Sequence, residues 1–128
     1  MIRKELDHVS LSVSDFERAR HFYEEVLGLE PDDRRPDFGF PGGWYKVGDS
    51  QIHLIQELES VDVGSRASKL NPTAPHLALR IDDYDETLAY LKALGLEVFE
   101  TRAEIGQMWI RDPDHNIIEL TAAVRSKE

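Results

Sequence analysis

The chain repeats itself, and this repeat limits what it can fold into more than any other feature. Leu6-Asp7-His8-Val9-Ser10-Leu11-Ser12-Val13 aligns with Ala74-Pro75-His76-Leu77-Ala78-Leu79-Arg80-Ile81, so His8 falls on His76, and Val9, Leu11 and Val13 fall on Leu77, Leu79 and Ile81. Both stretches alternate apolar and polar residues, the pattern of a half-buried strand. A helix follows each. Ser14 and Glu17 are spaced as a capping box ahead of a stripe of Phe16, Ala19, Phe22, Tyr23, Val26 and Leu27, and Asp83 and Glu86 repeat it ahead of Tyr84, Leu88, Leu91 and Leu94. Leu27-Gly28-Leu29-Glu30 and Leu94-Gly95-Leu96-Glu97 then match residue for residue, each glycine reading as a left-handed cap. Farther on, Trp44-Tyr45-Lys46 matches Trp109-Ile110-Arg111, and Ile52-His53-Leu54 matches Ile118-Glu119-Leu120. The expected fold is α+β: two tandem βαβββ units forming a concave mixed sheet. Unit one is placed at about 5–57, a linker at 58–73 and unit two at about 74–122, within one domain of 1–128.

Composition narrows the chemistry. Acidic residues outnumber basic ones 25 to 15, for a net charge of −10, which disfavours phosphate backbones and anionic membranes as partners. There is no cysteine, so disulfides, zinc–thiolate sites and thiol nucleophiles are excluded. The start, Met1-Ile2-Arg3-Lys4-Glu5, lacks the apolar run of a signal peptide, and no stretch reaches the roughly 20 apolar residues of a membrane span. A cytoplasmic location is expected, with any metal held by His, Asp and Glu.

Strand parity then assigns faces. His8, Ser10 and Ser12 share the face opposite Val9, Leu11 and Val13, and His76, Ala78, Arg80 and Asp82 do the same in the second copy. His53 and Glu119 oppose their apolar neighbours in the last strand of each unit. His8, His53, His76 and Glu119 are thus expected around one concave surface, where three imidazoles and a carboxylate suit zinc, nickel, iron or manganese. His21 and His115 read as solvent-facing. Arg80 can pair with a substrate carboxylate or phosphate. The loop from Arg34 to Gly43 has no counterpart in the second unit, which makes it a candidate lid, with Phe38, Phe40 and Trp44 as pocket walls.

The duplicated pattern, Asp7-His8-Val9, Phe22-Tyr23-Glu24-Glu25-Val26-Leu27-Gly28-Leu29, and Asp112-Pro113-Asp114 followed by Glu119 together resemble the vicinal oxygen chelate superfamily, from Leu6 to Ala122. That group includes glyoxalase I, methylmalonyl-CoA epimerase, extradiol dioxygenases, fosfomycin-resistance thiol transferases and bleomycin-binding proteins. The resemblance implies a glyoxalase-like fold, metal ligands at His8, His76 and Glu119 with His53 at a further ligand position, and pairing into a homodimer. It also implies a lyase or isomerase acting on a small substrate with vicinal oxygens through metal-stabilised enolate chemistry, with Glu119 as base and His53 as its counterpart. An iron dioxygenase, a metal-dependent thiol transferase and a non-enzymatic drug-binding protein are the alternatives. Two departures stand out: His53 occupies a position where glyoxalase I usually carries a carboxylate, and His115 replaces the glycine of the usual Asp-Pro-Asp-Gly-Asn turn.

Overall fold

Alternating residues at the start of each repeat form β1 (His8–Val13) and the strand later numbered β5 (His76–Arg80), and each opens a unit of the same order. The structure is a computed structural model that describes residues 1–122. After β1 come α1 (Phe16–Arg20), a π-helical segment (His21–Val26), β2 (Glu30–Asp32), β3 (Gly42–Val47) and β4 (Ser50–Gln56). After β5 come α2 (Tyr84–Ala93), β6 (Phe99–Glu100), β7 (Gln107–Arg111) and β8 (Ile117–Thr121). The sheets run β1-β4-β3-β2 and β5-β8-β7-β6. In each, the first and last strands pair in parallel and the other pairs are antiparallel, so both sheets are mixed. The chain divides into two compact units, Met1–Ser65 and the part beginning at Arg66. That boundary falls inside the segment read as a linker, whose Leu70 packs against Trp109 and Ile117 of the second unit.

The apolar faces pack as their parity requires. Val13, Ala19, Tyr23, Tyr45 and Leu54 are buried in the first unit, and Leu91, Met108, Ile110, Ile118 and Leu120 in the second. One member of the second stripe departs from expectation: Leu94 is exposed, because it is the residue at which α2 ends.

The caps correct the first reading. Asp15, not Ser14, caps α1 by accepting from the Arg18 amide, while the Ser14 hydroxyl accepts from the Arg18 guanidinium. Asp83 caps α2 by accepting from the Glu86 amide, as expected. The aspartates are the true equivalents, each standing one residue before its helix.

The π-helical segment also has a cause in the sequence. Asp15 lies thirteen positions before Gly28, whereas Asp83 lies twelve before Gly95. The extra residue is absorbed by widening the last turns, where the Leu27 amide donates to the Phe22 carbonyl five residues back. Gly28 and Gly95 both adopt positive φ, 67° and 80°, and His115 does so at 69° without glycine's freedom.

Candidate functional site

Strand register brings the candidate side chains into two pairs, one in each unit. Ser10, His53 and Trp44 lie side by side across β1, β4 and β3, and Ala78, Glu119 and Trp109 lie likewise across β5, β8 and β7. His53 and Glu119 are therefore equivalent down to the residues that flank them. Among the described residues no group of three or more His, Asp or Glu side chains is placed to hold a metal ion.

In the first unit the pair is stacked. The His8 and His53 rings lie 3.9 Å apart and 14° from parallel, and the Trp44 ring covers the other face of His53 at 4.3 Å and 5°. His8 Nδ1 is 2.7 Å from the Asp7 carboxylate, and His53 Nε2 is 2.8 Å from Gln51 Oε1. Burial, and then the neighbouring His8, push the His53 imidazole below its ordinary range, which favours the neutral ring. Phe38 extends the row of rings from Trp44, at 6.5 Å, to Phe40, at 5.9 Å. Arg35 lies over both phenyl rings and donates to the Phe40 carbonyl, which holds the unmatched loop together. A cleft of about 700 Å³ opens along His8, His53, Trp44, Gln51, Lys46 and Arg34.

In the second unit the pair is edge-on. His76 Nε2 lies 3.0 Å from Glu119 Oε1. His76 Nδ1 is 2.7 Å from the Ala74 carbonyl, which can only accept, so Nδ1 carries a proton. The Trp109 indole N–H points at Nε2 from 3.3 Å, and Gln107 donates to Glu119 Oε2 at 3.0 Å. In the neutral ring, the Nε2 lone pair thus meets both the Trp109 N–H and a carboxylate oxygen, and positive charge between Nε2 and Oε1 would favour the pair. A proton on Nε2 supplies it, and so does a metal ion. The second ring nitrogen on a carbonyl and the second carboxylate oxygen on an amide are the supports that metal ligands usually have. The pair therefore offers two of the ligands that a divalent ion would need.

The remaining candidates fall as follows. Arg80 shares the face of His76 by parity and is exposed. His21 is exposed beside Glu25 on the π-helical segment. Gln51, Asp32 and Gln107 orient the candidate residues and were missed from the sequence. Gln51 was within reach, because a residue two before His53 must share its face. Asp32 comes from β2 and was not.

The family model described as Glyoxalase/Bleomycin resistance protein/Dioxygenase superfamily matches residues 5–120. The mitochondrial methylmalonyl-CoA epimerase of Bos taurus is 28% identical over 105 residues, which cover 79% of this chain but only 60% of that longer protein. Among solved structures, a lactoylglutathione lyase from Agrobacterium tumefaciens is 27% identical with a TM-score of 0.66, covering 93% of each chain. TnmS3, an antibiotic binding protein from a Streptomyces species, is 26% identical with a TM-score of 0.73, covering 97% of this chain and 99% of its own. With the fold, the duplicated register and a family match over nearly its whole length, the chain belongs to the glyoxalase/bleomycin resistance protein/dioxygenase superfamily.

Proposed function

We propose that the protein is a divalent-metal-dependent lyase or isomerase acting on a small substrate with oxygens on neighbouring carbons. The observation that carries this reading is the His76–Glu119 pair, two electron-rich atoms 3.0 Å apart with their outer atoms tied by Ala74 and Gln107. His8, with Nδ1 held by Asp7, is the third proposed ligand. Zinc, nickel, iron or manganese suits this mix of imidazole and carboxylate. Such an ion supplies a Lewis acid for the substrate oxygens.

The protein's own groups move the proton. Glu119 accepts it at Oε2 from a carbon beside a carbonyl, and the C–H electron pair passes onto the carbonyl oxygen. The same carboxylic acid then returns the proton to the former carbonyl carbon in an isomerisation, while the hydroxyl proton of the neighbouring carbon passes to the oxygen that took the electron pair, leaving a carbonyl in place of the hydroxyl. Gln107 keeps the carboxylate aimed through both steps. Arg80 meets an anionic end of the substrate, while Trp44 walls the cleft and Phe38 and Phe40, expected as further walls, only extend its row of rings. His53 serves as a polar contact within that wall. The epimerase and lyase relatives support proton-transfer chemistry of this kind.

A second reading, binding without turnover, is favoured by the row of rings from Phe40 to His8 and by the antibiotic-binding relative. The assay separates the two. Protein loaded with nickel, zinc, manganese or iron is given the hemithioacetal of methylglyoxal and glutathione, together with related α-hydroxy ketones. Metal-dependent turnover that is lost in His76→Ala supports the enzyme. Oxygen uptake with a catechol instead moves the assignment to a dioxygenase, and tight binding with no turnover moves it to the binder. A homodimer completes the proposal, since the sheets end on edge strands, β1 and β2 in one and β5 and β6 in the other, that call for cover.

A further inference from the structure

A line of hydrogen bonds crosses the first sheet from Asp32 to His53. The Asp32 side chain is only 1% exposed and is gripped by Arg34, whose Nε and Nη2 approach its two oxygens at 2.9 and 2.5 Å while the Arg34 amide adds a third bond at 3.0 Å. The same carboxylate accepts from Gln51 Nε2 at 2.6 Å. A carboxylate ion offers no proton, so the amide must turn its NH₂ toward Asp32. Its oxygen is then left facing His53, with Oε1 2.8 Å from Nε2. That oxygen also only accepts, so the proton of the neutral ring must sit on Nε2. His8 and Trp44 cover the two faces of the ring at 3.9 and 4.3 Å, which opposes a ring flip that would exchange its nitrogens.

We propose that Asp32, acting through the Gln51 amide, is a positioning residue that holds His53 as its Nε2–H tautomer, leaving Nδ1 as the one lone pair with which His53 meets substrate. His53 then accepts a hydrogen bond at Nδ1 and does not ligate a metal through Nε2. His76 is the opposite case, with its proton on Nδ1 and its lone pair on Nε2. The repeat explains the difference: the position equivalent to Gln51 is Ile117, which has no amide to impose a tautomer. The substrate contact at Nδ1 rests on the proposed function, whereas the tautomer does not.

The test uses metal-free protein labelled with ¹⁵N-histidine, and two-bond ¹H–¹⁵N correlation spectra at about pH 8, above the ordinary imidazole range. The His53 signals are identified by their loss in His53→Gln. Wild type should show a single Nε2–H pattern at His53. Asp32→Ala, which frees the amide to turn over, should convert it to a mixture of tautomers. Adding Gln51→Glu to that variant should restore the single pattern, because a carboxylate at position 51 accepts from Nε2 without help. If Asp32→Ala does not fold, Gln51→Leu leaves the Asp32–Arg34 pair in place and should produce the same mixture. A wild-type ring protonated at Nδ1, or a pattern untouched in folded Asp32→Ala or Gln51→Leu, overturns the proposal. A purely structural Asp32 would give no rescue by Gln51→Glu. None of these readouts depends on turnover, so the tautomer and the proposed reaction can fail separately.

Discussion

At Glu119 one carboxylate oxygen meets His76 and the other meets Gln107, so substitutions at the three residues separate their roles. Glu119→Gln keeps the size of the buried side chain and removes its basicity. It should lower kcat by about 10²–10⁴-fold, measured alongside a circular dichroism spectrum that stays native. Gln107→Leu removes only the outer support of the carboxylate, and should weaken metal binding by about 10–100-fold in a titration with zinc or nickel. Asp32 makes a pH prediction. Hydrogen bonds from Arg34 hold its carboxyl well below the usual range, so its folded value is depressed relative to the unfolded chain. That contribution is fully present above about pH 4 and is lost as pH falls toward the folded value. Asp32→Asn should therefore lower the urea midpoint at neutral pH, and the gap from wild type should narrow as the pH falls below about 4.

Helix ends and the π-helical segment decide how each unit presents its strands. Asp15 and Asp83 cap their helices through the amides three residues on, whereas Ser14 does not cap. Asp15→Ala and Asp83→Ala should each cost about 1 kcal/mol in urea unfolding, and Ser14→Ala only a few tenths. On the π-helical segment Glu24 accepts from the Tyr45 hydroxyl of β3 at 2.7 Å and from Arg20 at 3.0 Å. Burial and the Glu24 carboxylate push the Tyr45 phenol upward, so it stays protonated and donating through the working range of pH. Tyr45→Phe removes that donor from a half-buried carboxylate and should cost about 1–3 kcal/mol, read from the same unfolding curves. The second unit offers no equivalent, because Ile110 stands in the place of Tyr45.

Across the whole molecule the proposed ligands are divided between the units, His8 in one and His76 with Glu119 in the other. In a homodimer such a set can be drawn from one chain or from two, and mixing inactive variants distinguishes these cases. His8→Ala and Glu119→Ala, unfolded and refolded together, should recover roughly a quarter of wild-type activity if ligands are shared between subunits, because half the dimers then hold one undamaged site. No recovery, with heterodimers shown by mass spectrometry, assigns the ligands to a single chain. Light scattering of the purified protein tests the dimer directly.

Much of this was written in the residues themselves. The alternation around His8 and His76, the paired Leu-Gly-Leu-Glu ends and the match of His53 to Glu119 determined the two units, their strand faces and the residues worth inspecting, because a period of two leaves a side chain only one face to occupy. The inserted helix residue was legible too, as a spacing of thirteen against twelve. What the sequence did not determine was which atom of each side chain is free. His8 and His53 both lie on the polar face, yet their rings stack, and the Nε2 of His53 faces a glutamine amide. That amide takes its direction from Asp32 on β2, nineteen residues away in sequence and 2.6 Å away in space. Periodicity assigns a side chain to a face of its own strand. The orientation of a hydrogen bond is set by donors and acceptors that only the pairing of distant strands brings together.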